Sequence, residues 1–410
     1  MKSSTMLISF VTLALAPLIN AATTVSGSAY GFAKGVSGGG SAVAAAPSDI
    51  AQLKSWLADS TPRVILINKT YNFVGTEGST TGSGCYQSGC LPTKGGQDYI
   101  GTLSCTGTNM ISTSITYDTA GPTPLDVGSS KTILGVGSAG IIAGKGLRIP
   151  ATSTNIIIQN VHFTNINPGH VWGGDAISLE GSRGVWIDHC KFSLIGRQMI
   201  VSHFAASQFT ISNCEFYGTT TTSATCNANH YWTMMINGPG DLLTLDRNYW
   251  HNLSGRAPKI SGTGAVAQIT NNYMANNAGH DFETYDGTYS LIEGNVLEGV
   301  TLPFDGTAGS TYNVPDSASS TACASYLGRN CPVNTITNSG TWPSLKVVAA
   351  LAKLKQYDSS VSIFIIQFFY SLDLFPSKLF QRFLVCKFTN HLIFSTWSLL
   401  LRPVLSRPVF

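Results

Sequence analysis

Three short segments bring together residue types that could do chemistry. They read Gly174-Asp175-Ala176-Ile177, Val185-Trp186-Ile187-Asp188-His189-Cys190 and Ser254-Gly255-Arg256-Ala257-Pro258-Lys259. Arg256 and Lys259, together with Arg197, are cations that could hold negative charge as it develops on a substrate carbonyl. Asp175 is the acid that could orient one of these cations. The residues are far apart in sequence, so the elements between them must bring them together.

A repeated strand pattern runs through the part of the chain where these residues lie. Each copy is a short apolar strand with a polar residue at one place, and these polar residues are Asn160, His189, Asn213, Asn248, Asn272 and Asn295. Their spacings of 29, 24, 35, 24 and 23 residues indicate a basic period with two insertions. The pattern predicts an all-β, single-domain parallel β-helix, in which the polar residue at each bend hydrogen-bonds its counterpart one coil away. Residues 49–57 have the spacing of a short amphipathic helix, which we expect to cap one open end.

This architecture gives structural roles to residues that could otherwise be interpreted as catalytic. Asp188 and His189 suggest a Ser-His-Asp arrangement, but the position of His189 in the repeat favours the polar stack. His280, Asp281 and Glu283 follow two asparagines and are interpreted as solvated turn residues.

The two longer gaps in the repeat indicate the functional face, because insertions in a solenoid fall on one side. The gap from 160 to 189 carries Trp172, and the gap from 213 to 248 carries Tyr231 and Trp232. These aromatic residues are out of register with the strands. We interpret them as a stacking surface for flat ligands.

The composition of the 410-residue chain excludes several classes of protein. Asp, Glu, Lys and Arg make up 11% of it, against roughly 25% in an average globular domain. The chain is too apolar to be disordered, and too poor in charge and rich in glycine for a coiled coil or helical bundle. The net charge of +3 comes from the two ends, and the absence of a basic patch excludes a nucleic-acid partner.

Both ends of the chain are expected to lie outside the folded domain, which then spans residues 22–360. Residues 1–21 combine a basic start, a short apolar core and small residues, which is typical of a secretory signal peptide. Residues 361–410 contain no glycine and nine of the 19 phenylalanines, and are interpreted as an atypical tail or gene-model artefact rather than an anchor. The mature protein is expected to be extracellular, monomeric and free of membrane segments. Asn68 and Asn252 are candidate glycosylation sites.

A secreted chain with nine cysteines is expected to form disulfide bonds and to keep some free thiols. The candidates for disulfide bonds are Cys85, Cys90, Cys105, Cys226, Cys323 and Cys331. Cys323 and Cys331 can close a small ring, and Cys226 is expected to pair with an N-terminal cysteine. Cys190 and Cys214 lie inside strand patterns and are predicted to be buried thiols.

Taken together, the three segments resemble the pectate/pectin lyase family, and in particular its secreted fungal pectin lyases. The likeness covers roughly residues 24–350, and the three motifs in this order are far more specific than any one of them. The resemblance implies a right-handed parallel β-helix that cleaves homogalacturonan by β-elimination. It also implies that Arg256 abstracts the proton, that Arg197 and Lys259 hold the C6 carbonyl and the enolate, and that Asp175 orients Arg197. The aromatic cleft of pectin lyases would correspond to Trp172, Tyr231 and Trp232.

The chemistry of elimination bears on whether a metal is needed. An ionised carboxyl opposes formation of a carbanion beside it and calls for a divalent cation, whereas a methyl-esterified carboxyl is neutral. After the Trp-Ile-Asp-His strand, pectate lyases carry acidic calcium ligands, but residues 194–200 here contain Arg197 and no acid. Because Asp175 alone cannot supply the oxygen ligands of calcium, we expect no metal, no cofactor and a methyl-esterified pectin as substrate.

One objection and three alternatives stay open. A guanidinium ordinarily keeps its proton, so a base role for Arg256 relies on like charge from Arg197 and Lys259 to favour the neutral form. The alternatives are a calcium-dependent pectate lyase, a β-helical polygalacturonase and a solenoid that binds polysaccharide without turnover. A polygalacturonase would need paired carboxylates roughly 5–9.5 Å apart, and the sequence contains no Asp-Asp pair.

Overall fold

The computed structural model describes residues 23–357. The predictions for residues 1–21 and 361–410 lie outside the described residues. The strands are β1 Ala44–Ala45, β2 Arg63–Ile67, β3 Thr70–Asn72, β4 Ser79–Gln87, β5 Asp98–Ile100, β6 Met110–Asp118, β7 Leu125–Asp126, β8 Lys131–Gly135, β9 Ile141–Ala143, β10 Leu147–Pro150, β11 Thr154–Gln159, β12 His162–Ile166, β13 His170–Val171, β14 Ile177–Glu180, β15 Arg183–Asp188, β16 Lys191–Ile195, β17 Ile200–Ser202, β18 Gln208–Ser212, β19 Glu215–Tyr217, β20 Met234–Ile236, β21 Leu242–Asp246, β22 Tyr249–His251, β23 Lys259–Ile260, β24 Val266–Thr270, β25 Tyr273–Ala275, β26 His280–Thr284, β27 Tyr289–Glu293, β28 Val296–Glu298, β29 Leu302–Gly306, β30 Ser310–Tyr312 and β31 Thr335–Thr337. The helices are α1 Ile50–Ala58, α2 Ser317–Ala322, α3 Ala324–Leu327 and α4 Ala349–Lys355.

Three long sheets of parallel strands form the body, and each coil contributes one strand to each sheet. The ten-stranded sheet has the order β1-β2-β8-β11-β15-β18-β21-β24-β27-β30, the nine-stranded sheet β3-β9-β12-β16-β19-β22-β25-β28-β31, and the eight-stranded sheet β29-β26-β23-β20-β17-β14-β10-β7. This confirms the predicted parallel β-helix. Both insertions in the repeat lie between the nine-stranded and eight-stranded sheets, so they fall on one side of the coils. A small fourth sheet, β13-β5-β4-β6, lies outside this stack.

The interior is built by alternate residues of each strand stacked coil upon coil. In the nine-stranded sheet, the rings of Phe163, Phe192, Phe216 and Trp250 stack with centroid separations of 5.6, 5.2 and 4.0 Å. All four side chains are fully buried. Each such burial stabilises the fold by roughly 1.5–3 kcal/mol, so the repeat supplies its core one coil at a time.

An asparagine ladder lines the inside of the bend between the ten-stranded and nine-stranded sheets. Asn248 donates from its Nδ2 to the Oδ1 of Asn272 over 2.9 Å, and Asn272 donates in the same way to Asn295 over 2.9 Å. The predicted stacking is therefore confirmed for these three residues. Asn334 extends the ladder by one coil, since it accepts from Asn295 over 3.0 Å.

The stacking prediction is wrong for the other three positions, which lie one residue earlier in their coils. Asn160, His189 and Asn213 adopt left-handed φ values of 58°, 52° and 52° at the turn itself. His189 faces solvent, with its Nδ1 2.6 Å from Asp188. The buried ladder position is instead Cys214 in its coil, whose backbone N–H donates to the Oδ1 of Asn248 over 3.0 Å.

The predicted amphipathic helix at the end of the coils and the predicted states of the cysteines are confirmed. Asp49 caps α1 by accepting from the backbone N–H of Gln52 over 2.9 Å, and Leu53 and Leu57 are buried in the core. The disulfide bonds are Cys85–Cys105, Cys90–Cys226 and Cys323–Cys331, and the free cysteines of the described chain are the buried Cys190 and Cys214.

Two surface predictions are not tested by the structure. Asn68 is exposed in the turn between β2 and β3, whereas Asn252 is half-buried after β22. Glycosylation of both stays a prediction. No helix among residues 23–357 is long and apolar enough to cross a membrane.

Candidate active site

The predicted site residues lie in the loops that lead into consecutive strands of the eight-stranded sheet. Asp175 precedes β14, Arg197 precedes β17, Tyr231 and Trp232 precede β20, and Arg256 precedes β23. The hydrogen bonds between coils continue into these loops, from Ala176 N to Gln198 O over 3.0 Å and from Met234 N to Arg256 O over 2.8 Å. Because neighbouring parallel strands are about 4.8 Å apart, residues at the same place in successive coils become neighbours.

Arg197 is held between a tryptophan ring and a half-buried carboxylate. Its guanidinium carbon lies 3.7 Å from the centre of the Trp172 ring, and its Nη1 is 3.4 Å from the Oδ2 of Asp175. The other oxygen of Asp175 accepts from the backbone N–H of Gln198 over 2.7 Å. Asp175 thus contacts both Arg197 and the backbone beside it, and its orienting role stays a prediction.

Burial acts on both members of this pair. It raises the pKa of Asp175, and the positive charge of Arg197 opposes that rise. It lowers the pKa of Arg197, an effect that Asp175 opposes and that the positive charge of Arg256 reinforces. The two arginines are therefore close enough to repel one another.

Arg256 forms no ion pair with a carboxylate among residues 23–357. Its guanidinium carbon lies 4.7 Å from the centre of the Trp232 ring and 5.7 Å from that of Tyr231. Its Nη1 is 3.5 Å from the sulfur of Met235, and its buried Nε makes no hydrogen bond to any described residue. Because no carboxylate of the described residues pairs with it, this arginine is available to a ligand that enters the cleft.

The backbone around Arg256 is tightly constrained. Arg256 has a left-handed φ of 51°, which is uncommon outside glycine. A Cβ on the preceding Gly255 would lie 2.6 Å from a ring carbon of Tyr231, so only glycine lets the ring pack here. The Ser-Gly-Arg segment therefore serves close packing as well as presenting the guanidinium.

Lys259 lies beside Arg256 but is engaged by an acid. It pairs in register with Met235 on β20, the residue that contacts Arg256. Its Nζ contacts the Oε1 of Glu283 and lies 3.2 Å from the hydroxyl of Tyr285. Lys259 can therefore contact a substrate only while Glu283 and Tyr285 also hold it.

The prediction that His280, Asp281 and Glu283 are solvated turn residues is wrong. They form β26, in which Asp281 is fully buried and Glu283 is 4% exposed. The physical reason is pairing on both sides, since β26 lies between β23 and β29. Burial raises the pKa of Glu283, but hydrogen bonds from His280, Lys259 and Tyr285 outweigh this and lower the pKa to about 2.

The small fourth sheet and its loops hold the aromatic residues of the cleft. The indole N–H of Trp172 donates to the hydroxyl of Ser104 over 2.9 Å, and that of Trp232 donates to the side chain of Gln97 over 3.1 Å. The Cys90–Cys226 disulfide ties the insertion that carries Trp232 to the same region. Both rings are half-buried, so they retain surface for a ligand.

His230 is a site residue that the sequence does not reveal. Its Nε2 lies 2.9 Å from the backbone oxygens of both Arg197 and Trp232, so it must donate to these carbonyls. Burial lowers the pKa of His230 to about 4, which keeps the imidazole neutral. One histidine thus fixes the backbone of two site residues, a role that only the long loop around it makes possible.

The residues beside Asp175 do not fit a calcium site. One oxygen of Asp175 faces Arg197, and the next coil offers that cation where a further acid would be needed. Within the described chain, no group of three or more His, Cys, Asp or Glu side chains is arranged to hold a metal ion.

Comparison with known proteins places these features in a family. A family model described as pectate lyase matches residues 94–381. A relative named "Probable pectin lyase F" from Aspergillus niger is 46% identical over 379 residues, which cover 84% of this chain and 76% of the relative. "Probable pectin lyase F" from Neosartorya fischeri is 43% identical, with 85% and 93% covered, and "Probable pectin lyase E" from Aspergillus fumigatus is 44% identical, with 82% and 90% covered.

Solved structures of low sequence identity share the fold. A pectate lyase from Acidovorax avenae subsp citrulli superimposes with a TM-score of 0.50 at 16% identity, covering 83% of this chain and 91% of that one. A polygalacturonate lyase fused with a self-assembling amphipathic peptide gives a TM-score of 0.51 at 18% identity, with 80% and 90% covered. At this identity, the likeness supports the parallel β-helix alone.

Proposed function

Because this chain belongs to the pectate lyase family, we propose that it is an endo-acting pectin lyase, cleaving α-1,4-linked, methyl-esterified galacturonan by β-elimination without calcium. The observation that carries this proposal is the environment of Arg256. It is a cation without a carboxylate partner in the described chain, set among aromatic rings and beside a second arginine. The relatives at 43–46% identity that are named pectin lyases support the same substrate.

The reaction can be written with the residues of the site. Arg256 in its neutral form takes the C5 proton, and the electron pair moves onto the C6 ester carbonyl to form an enolate. Arg197, held by Asp175, and Lys259 stabilise that negative charge. Collapse of the enolate forms the C4–C5 double bond and expels the O4-linked sugar, whose oxygen takes up a proton from water, while Arg256 returns its proton to solvent. The products are 4,5-unsaturated oligogalacturonates.

The cleft is better suited to neutral sugars than to a polyanion bridged by metal ions. Trp172, Tyr231 and Trp232 offer apolar ring surface, which favours the faces of uncharged pyranose rings. Asp175 is already engaged by Arg197, which leaves it poorly placed to bind a divalent cation. A calcium-dependent pectate lyase is therefore the weaker alternative. A polygalacturonase and a non-catalytic binder have no further support from the geometry.

The direct test follows the ultraviolet absorbance of the conjugated 4,5-unsaturated product. Purified protein is mixed with highly methylated pectin in buffer that contains EDTA. A lyase gives rising absorbance as the polymer is cut, whereas a hydrolase shortens the polymer without absorbance and a binder does neither. If folded protein gives no rise in the absorbance of the reaction mixture, the proposed function is wrong.

We further propose that the protein acts outside the cell as a monomer. The extracellular location is supported by the leader-like pattern of residues 1–21, the three disulfide bonds and the exposed sequon at Asn68. Mass spectrometry of the protein from culture medium should show an N-terminus near residue 22. Light scattering should give the mass of one chain.

A further inference from the structure

His280 contacts the backbone of Arg256 from the next coil. The amide N–H of Arg256 donates to the Nε2 of His280 over 3.1 Å. The same Nε2 lies 2.9 Å from the Oε2 of Glu283. The side chain of His280 is 13% exposed, at the wall of the cleft next to Tyr231.

One imidazole nitrogen cannot serve both contacts in the same protonation state. When the proton of a neutral ring is on Nδ1, Nε2 has a lone pair that accepts the Arg256 N–H. When the ring is doubly protonated, Nε2–H donates to Glu283 and can no longer accept. The bond to Arg256 therefore exists only in the neutral tautomer that carries its proton on Nδ1.

The groups around His280 come from the neighbouring strands and the wall of the cleft. Glu283 also accepts hydrogen bonds from Lys259 and Tyr285, so it keeps two partners when the Nε2 of His280 accepts from Arg256. On the other side, Nδ1 lies 3.9 Å from the Oδ2 of Asp305 on β29, and the ring meets that of Tyr231 edge-to-face at 5.7 Å.

The bond matters because Arg256 holds an unfavourable backbone conformation. Its φ of 51° is disfavoured for a residue with a side chain and persists only when neighbouring groups hold it. The amide N–H that His280 binds belongs to this same residue. Losing the acceptor frees the peptide that aims the guanidinium.

We propose that neutral His280 is a positioning residue for Arg256, and that protonation of His280 switches its Nε2 from Arg256 to Glu283 and so misplaces the base. This inference rests on the proposed lyase function. It adds a pH-dependent element to that function, because histidine is the side chain that ordinarily changes charge between about pH 5 and 8. The rate of elimination should therefore fall on the acid side through kcat rather than through KM.

The nine-stranded sheet offers a matched control. His251 lies 3.0 Å from Glu215, which is in turn 3.1 Å from Lys191, so the same three residue types meet there. The side chain of His251 is 12% exposed, much like that of His280. It lies on a different sheet from β23 and β26, away from Arg256. A substitution at His251 thus removes an equivalent histidine–carboxylate pair without touching the site.

The experiment measures kcat and KM on methylated pectin across pH for wild type, H280A, H280Q and H251Q. A misplaced base costs up to about 100-fold, so H280A should lower kcat by about 10–100-fold with KM changed less than about threefold. The side-chain amide introduced by H280Q can accept from Arg256 and donate to Glu283 without titrating. H280Q should therefore recover most of the loss and flatten the acid side of the profile, while H251Q follows wild type.

Two results would overturn the proposal. One is wild-type kcat in folded H280A, and the other is a wild-type acid limb in H280Q. Thermal unfolding of each variant separates loss of fold from loss of positioning, and H280Q, which keeps both hydrogen bonds, remains informative if H280A unfolds. If wild type itself gives no unsaturated product, the lyase function fails, which is a different outcome from an active wild type with indifferent His280 variants.

Discussion

Arg247 and Arg256 are two arginines in the same chain with nearly the same local geometry and opposite surroundings. Both have a left-handed φ, 56° and 51°, and both lie near an aromatic ring. Arg247 forms an ion pair of 3.0 Å with the buried Asp246 and donates to the hydroxyl of Tyr30 over 2.7 Å. Around the guanidinium of Arg256, the described chain places aromatic rings and the sulfur of Met235 instead of a carboxylate.

The difference separates an arginine that a carboxylate holds from one that no carboxylate of the described chain holds. Burial lowers the pKa of Arg247, but Asp246 and Tyr30 outweigh it and raise the pKa overall, so its proton is fixed. Tyr30 belongs to the N-terminal segment that crosses the ten-stranded sheet, and Arg247 helps to hold that segment. We infer that the site keeps carboxylates away from Arg256 because, in the proposed mechanism, this guanidinium has to lose a proton.

The largest expected effect is the loss of turnover in R256A. Removing a positioned base costs about 10²–10⁴-fold in rate, so kcat on methylated pectin should fall by that factor. The matched variant R247A should stay within about twofold of wild type, because Arg247 lies outside the cleft. Equal losses in the two variants would break the distinction between the arginines.

The free energy of unfolding should fall more in R247A than in R256A, which is the reverse of their order in activity. R247A leaves Asp246 buried without its cation, and removing one partner of a buried pair costs about 3 kcal/mol. R256A strands no carboxylate, so its free energy of unfolding should change by less than about 1 kcal/mol. Urea unfolding of both variants measures this. A more severe loss in R256A would mean that Arg256 is structural.

A further test gives Arg256 a carboxylate partner like the one that Arg247 has. Met235 touches the guanidinium, so M235E places a carboxylate beside it and stabilises its protonated form. We expect kcat to fall by about 10–100-fold in M235E. M235Q has the same size without the charge and should lose less than about threefold. If the two variants behave alike, the charge of Arg256 is not what limits the reaction.

The smallest effect concerns acid stability near the site. The folded pKa of Glu283 is about 2, below the ordinary value of 4.5, so its ionised form stabilises the fold above pH 4.5 and the gain is lost as pH falls toward 2. Between those limits, wild type should lose about 2 kcal/mol more unfolding free energy than E283Q, after allowance for partial burial. Unfolding curves at several pH values measure the difference, and parallel curves would contradict the assignment.

The repeat could be predicted because each strand depends on its own alternating pattern. The register of the ladder could not be, since two neighbouring columns both favour asparagine. One column needs a left-handed φ, as at Asn160 and Asn271, and the next needs an amide inside the bend, as at Asn272. Aligning the polar residues of a single sequence merges the two columns. Cys214, in the inner column, can accordingly be predicted as buried but not as part of the ladder.

Site residues could be named from their motifs, but not their partners. The engagement of Lys259 by Glu283, and the contact of His280 with Arg256, depend on β26 lying beside β23. Nothing local to His280 or Glu283 distinguishes that strand from a solvated turn. The support that Trp232 receives from Gln97 links residues 135 positions apart, which no periodicity encodes.

The most direct test of the whole account is the initial elimination rate as a function of methyl-ester content, measured in parallel with EDTA and with added Ca²⁺. We expect the rate to rise with esterification and to be the same in both buffers, because neutral esters let the cations around Arg256 act unaided. A rate that falls as the polymer is esterified, or that disappears with EDTA, would contradict it.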